Sequence, residues 1–314
     1  MENNINYLFL HYSMVYLTKN DWSNLILSKL SKEESFKQEF LELYKIYNAI
    51  NIFSKKIYAK ANVQQSAFIA AQIIFHKYRI CSNFSLSKYS SEELYIILGA
   101  CLFIGQRSIN ILTTKVDNIS SFIKQLINKK NPNNNIEINE LNKKLIQKEF
   151  DILTSIGFNI EIDSPFHFFY KLKNYLSKFE VNSSNFFTLL NYIVKDSFIL
   201  PLSLYYTPNI ITISCVKLLG ERYKLDFINI KEIISLSDYP IDEEDINQCT
   251  SLIQKLEAAI NERKNQSNCS SNSNSTNNVT DDEKGKTSDN INENHISSGP
   301  SITKVIPSIK MNID

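Results

Sequence analysis

Turn-forming residues are scarce in this chain. It has six glycines and seven prolines in 314 residues, and two of each fall after residue 280. A many-stranded all-β chain needs tight turns at short intervals, so that class is disfavoured. Charge of one sign is also missing: 34 Lys and Arg face 33 Asp and Glu, a net of +1. No global basic bias points to nucleic acid, and no acidic one to a basic partner. The five cysteines (Cys81, Cys101, Cys215, Cys249 and Cys269) are odd in number and contain no CxxC spacing. They read as buried thiols of a reducing compartment rather than a disulfide framework. A basic start and a small-residue cleavage site are absent, so no signal peptide is expected.

Enzyme motifs are lacking as well. There is no GxxxxGK[ST] to cradle phosphate and no GxGxxG. The four histidines (His11, His76, His167, His295) are scattered and none belongs to an HExxH, so no metal site is expected. The single Asp-Asp pair, Asp281-Asp282, lies in a polar tail rather than in a helix. The expectation is a non-catalytic protein without cofactor. Long apolar runs are missing too. Leu94–Gln106 is uncharged but too short to span a bilayer. Ser197–Val216 is uncharged over 20 residues, but Pro201, Pro208 and Asn209 interrupt it. Thr207-Pro208 is a helix start, so this stretch reads as a helix end, a loop and a new helix, not a membrane span.

What is present is a repeat. Leu94–Arg107 reads LYIILGACLFIGQR, and Pro208–Arg222 reads PNIITISCVKLLGER. A helix apolar on every face has to be enclosed by other elements. Each segment is therefore expected to be the central helix of its own bundle, in an all-α chain built from two copies of one unit. Capping boxes Ser31-Lys-Glu-Glu34 and Ser90-Ser-Glu-Glu93 open helices to about Phe53 and from Leu94. Val63–Tyr78 reads as a helix whose Ala67, Ala70 and Ala71 permit close packing. A mixed segment then runs to Asn128, and Asn139–Ile156 is a helix stopped by Gly157. Phe158–Ile162 alternates like an extended connector. Further helices are predicted at Pro165–Phe179, Asn185–Ile199, Pro208–Tyr223, Ile230–Ile234 and Asp242–Arg263. The predicted organisation is an N-terminal helical extension (1–30), a first unit (31–161), a second unit (162–264) and a disordered Asn/Ser-rich tail (265–314).

Two charged residues stand out on periodicity. The apolar stripe of the Asn139–Ile156 helix runs Leu141, Leu145, Glu149, Ile152, Ile156, so Glu149 occupies a core register. A carboxylate there needs a hydrogen-bonding or cationic partner, or its pKa rises. Arg107 ends the uncharged helix. The plain reading is an edge carboxylate reaching solvent and an arginine favoured by the helix dipole.

Five segments, in order, resemble the cyclin family. VQQSAFIAAQIIFHKYR (Val63–Arg79), GACLFIGQR (Gly99–Arg107) and EFDILTSIGF (Glu149–Phe158) are similar to the second, third and fifth helices of a cyclin box. SPFH (Ser164–His167) and LYYTP (Leu204–Pro208) are similar to two helix entries of the second cyclin fold. The resemblance covers about 31–261 and is strongest to the transcription-type cyclins, the cyclin H branch first and the cyclin C and L branches close to it. It implies tandem five-helix cyclin folds whose first unit binds a cyclin-dependent protein kinase. It implies that Arg107 stands for a kinase-contacting lysine, that Glu149 is the matching fifth-helix glutamate, and that Ile104, Leu153, Phe158 and Ile160 are apolar contacts. The chain departs from the family in Ser108, Ile109 and Asn110, where acidic residues are usual. It also lacks the Met-Arg-x-x-Leu patch on the first helix.

The implied function is an intracellular, nuclear or cytoplasmic regulatory subunit that activates a kinase of the CDK-activating or transcription type. Its role would lie in cell-cycle control and RNA polymerase II phosphorylation, with a third assembly subunit as a further partner and neither nucleic acid nor membrane among them. Two alternatives stand beside it. One is a TFIIB-like cyclin-fold transcription factor, which the near-neutral charge disfavours. The other is a kinase-independent helical scaffold.

Overall fold

The computed structural model describes residues 33–272, apart from 83, 111–113, 133–135, 163–165, 178–182 and 226–227. Residues 1–32 and 273–314 lie outside it, and with them the N-terminal extension, His11, His295, Asp281 and Asp282. Among the described residues there are ten α-helices and no β-strand. We number them α1 (Glu33–Ile57), α2 (Ala61–Cys81), α3 (Ser91–Ser108), α4 (Val116–Lys130), α5 (Ile138–Ser155), α6 (Phe166–Leu176), α7 (Ser183–Ser197), α8 (Pro208–Tyr223), α9 (Ile230–Ile234) and α10 (Glu243–Asn272). None is long and apolar enough to cross a membrane.

Helix α3 packs on α1, α2, α4 and α5, and α8 packs on α6, α7, α9 and α10. The enclosure is complete in the sense the sequence required. Ile96 to Gln106 are buried without interruption, as are Ile210 to Val216 and Leu218 to Gly220. Both central helices begin on a cap. Ser90 and Glu93 form the full reciprocal capping box, and the Thr207 hydroxyl accepts from the Ile210 amide with Pro208 in the first turn. Gly105 permits the tightest contact in the first set. A Cβ there would sit 2.7 Å from the Ala71 nitrogen and 3.0 Å from the Ala70 carbonyl carbon.

Three sequence expectations need correction. The mixed segment before Asn128 is helix α4, held by the buried stripe Ile119, Ile123 and Ile127. The final helix does not stop at Arg263 but continues to Asn272, so the first residues of the tail are helical. Phe158 does not begin an extended connector: its φ is 57°, and Gly157 before it has φ 61°.

A polar seam joins the two sets of five. Tyr47 donates to Asp196 Oδ1 (2.6 Å), Lys195 to Asn51 Oδ1 (3.1 Å), and Gln65 bonds to Asn191. His76, 1% exposed, donates from Nε2 to the Phe198 carbonyl at 2.9 Å. Burial holds its pKa down at about 4, so the ring is neutral. Buried groups of this kind need partners, and the seam gives each of these residues one across the two halves, although His76 Nδ1 is left without a partner among the described residues.

Candidate functional site

The end of α3 is fixed from inside. Buried Gln106 accepts from the Tyr58 hydroxyl (2.9 Å) and donates to the Thr114 carbonyl (3.1 Å). One residue further, Arg107 leaves the core. Its guanidinium lies over the Phe103 ring, 4.2 Å from the centroid, and Nη1 donates to Glu149 Oε1 at 2.6 Å. The Arg107 side chain is 48% exposed and that of Glu149 only 9%. Leu141, Leu145, Glu149 and Ile152 are the buried residues of α5, which is the stripe read from the sequence. Burial raises the Glu149 carboxyl above its ordinary value, and the Arg107 charge opposes that rise. Losing the arginine would leave a buried carboxylate without its cation, at a cost of about 1–3 kcal/mol.

An exposed apolar cluster adjoins this pair. Ile146, Phe150 and Phe158 are 53%, 58% and 59% exposed, and the two phenylalanine rings meet edge to face at 6.4 Å. Phe158 is held out by the turn that ends α5. Its amide donates to the Leu153 carbonyl (2.8 Å), Gly157 to Thr154 (3.1 Å) and Asn159 to Ile156 (3.2 Å). A left-handed backbone costs an aromatic residue roughly 1 kcal/mol or more. Here no burial of the ring repays it.

The six residues singled out from the sequence fall into three positions. Arg107, Glu149 and Phe158 form the surface just described. Leu153 and Ile160 are half-buried against the core. Ile104 is 1% exposed, so it supports the surface from beneath and offers nothing to a partner. Sequence reasoning missed Ile146 and Phe150. Their signal was an apolar residue in a solvent register, four apart on α5 and off the buried stripe.

The ion pair has a counterpart in the second set. Arg222 of α8 donates to Glu257 of α10 through both guanidinium nitrogens, Nη1 to Oε1 at 3.2 Å and Nη2 to Oε2. Among the described residues no exposed large apolar side chain lies on α10.

Among the described residues no group of His, Cys, Asp and Glu is placed to hold a metal. Cys101, Cys215 and Cys249 are buried free thiols whose pKa values burial pushes up, to about 12 for Cys249. A thiolate nucleophile is therefore not available at those three positions. The chain matches no family model and no curated protein sequence. What the surface offers chemically is an apolar cluster beside a half-desolvated charge pair.

Proposed function

We propose that the chain is a cyclin-family regulatory subunit, each set of five helices being one cyclin fold, and that it binds and activates a cyclin-dependent kinase. The observation that carries the reading is the exposed cluster Ile146, Phe150 and Phe158 beside Arg107 and Glu149. Large apolar side chains grouped at a surface mark interaction sites, whereas single ones do not. Aromatic residues flanked by a partly buried charge pair have the make-up of a binding hot spot. The binding energy would shift the kinase towards the arrangement in which its small-lobe helix and activation segment are ordered. Metal and phosphoryl chemistry would belong to the kinase.

The scaffold reading has one observation in its favour. Arg107 is engaged within the chain, and the same pair recurs as Arg222 and Glu257 away from any apolar cluster. One experiment separates the two. The full chain is titrated against purified cyclin-dependent kinases, with affinity and kinase activity as readouts. The expected result is tight binding and activation of one kinase, with Phe150→Ala/Phe158→Ala weakening affinity about thirtyfold or more at unchanged melting temperature. Binding to no kinase, or wild-type affinity in the double variant, would overturn the proposal in favour of the scaffold.

A further inference from the structure

Phe158 is presented by a turn whose far side runs on as non-helical chain, with Ile160 and Ile162 half-buried against the core. Its near side is anchored to α5 by the three amide bonds given above, but residues 159–162 belong to no helix. Lys77, half-buried on α2, reaches across to this stretch. Its ammonium donates to the Asn159 carbonyl (3.1 Å), to Asn159 Oδ1 (3.0 Å) and to the Glu161 carbonyl (3.0 Å). A lysine has three protons to donate, and three acceptors within one short segment define the path of that segment in all directions.

The backbone between them closes the device. The Ile160 amide donates to the Phe158 carbonyl at 3.0 Å, which closes a tight turn centred on Asn159, the residue that follows Phe158. Strained dihedrals persist only where the surroundings over-determine them. Asn159 is held by its amide bond to Ile156, by the packing of Ile160 and by the Lys77 tie. Removing the tie loosens the turn and lets Phe158 relax towards negative φ with its ring away from Phe150. We propose that Lys77 is a positioning residue that aims Phe158 at the partner. This rests on reading the Phe150–Phe158 cluster as the kinase-binding surface.

A side chain ordered before binding costs nothing to order during it, so the clamp acts on affinity through Phe158 alone. That sets the test, made on the full chain with Lys77→Met, which keeps the aliphatic stem, and Lys77→Arg, which keeps the charge and donors. Amide hydrogen exchange is the first arm. Lys77→Met raises exchange at Phe158 to Ile160 by about tenfold or more and leaves the middle of α5 unchanged. Unchanged exchange there would overturn the proposal whatever the partner is.

The second arm is a double-mutant cycle on affinity for the activated kinase. Lys77→Met alone weakens binding about tenfold, adds nothing in a Phe158→Ala background, and is rescued to within about threefold of wild type by Lys77→Arg. Additive losses would show that Lys77 works through something other than Phe158, and would also overturn it. Wild-type affinity in Phe158→Ala itself would defeat the kinase reading of the cluster. The exchange arm then still decides whether Lys77 holds the turn.

Discussion

Helices α3 and α8 end in the same Gly-x-Arg, and each arginine reaches a glutamate on the last helix of its set, yet only the first end lies beside an exposed apolar cluster. Arg107 and Arg222 are 48% and 32% exposed, and Glu149 and Glu257 are 9% and 12% exposed. The ion pairs are thus nearly interchangeable in burial. Among the described residues, four of the eight exposed large apolar side chains, Ile138, Ile146, Phe150 and Phe158, belong to α5 and the turn after it, and none belongs to α10. A repeated ion pair is a fastening between helices. What is not repeated is the better guide to function, and that is the apolar cluster.

The two glycines give the largest expected contrast. The Gly105 Cβ would meet the α2 backbone, which cannot yield as a side chain can, whereas at Gly220 the nearest atom is an Ile228 methyl at 3.4 Å. Gly105→Ala is expected to cost about 3 kcal/mol or more by overpacking. Gly220→Ala should be neutral or gain up to about 1 kcal/mol from helix propensity. Thermal melts of the two variants check this, and equal losses would break the asymmetry.

The seam gives the next effect, in acid. His76 titrates near its ordinary 6.5 when unfolded and at about 4 when folded. The unfolded chain therefore takes up a proton that the folded chain refuses, and stability falls as pH drops from about 6.5 through about 4. The full loss amounts to about 3 kcal/mol. Glu149 and Asp196 oppose it, because burial raises both carboxyls and returns stability on acidification. His76→Gln, which keeps an N–H for the Phe198 carbonyl, should be less acid-sensitive than wild type in urea melts at pH 7 and pH 4.5. Parallel losses in the two proteins would exclude His76 as the cause.

Arg107→Ala and Arg222→Ala come third. Both should destabilise by about 1–3 kcal/mol, since each leaves a mostly buried glutamate unpaired. Only Arg107→Ala should also weaken binding to the proposed kinase partner. Equal effects on binding would remove the distinction between the two ends. The smallest effect is a gain. Phe158→Asn tolerates positive φ and should raise the stability of the free chain by a few tenths of a kcal/mol, measured as a rise in melting midpoint, while reducing partner affinity.

The first level of this structure was legible because burial writes itself into periodicity. An uncharged helix has to be central, and a carboxylate in an apolar stripe has to have a partner, so Leu94–Gln106 and Glu149 were found without coordinates. The Ser90 and Thr207 caps were legible for the same local reason. Helix α4 was hidden because Asp117, Asn118, Ser120 and Ser121 weaken its propensity, and only one stripe four residues apart holds it. Ile146 and Phe150 escaped notice because an apolar residue on α5 looks like core until the burial of its neighbours is known. The left-handed Phe158 is set by a turn whose amides close on Leu153, Thr154 and Ile156, and the reach of Lys77 from α2 to Asn159 and Glu161 is a long-range contact that no local pattern encodes.

The seam has a consequence for how the chain comes apart. Tyr47, Asn51, Gln65 and His76 give or receive bonds from Asp196, Lys195, Asn191 and Phe198. Two bundles joined by a bare linker would melt as independent units with two midpoints. Here neither bundle can open without stranding buried polar groups of the other, so denaturant should remove both in one sigmoid, with the steep slope of a surface twice the size of either.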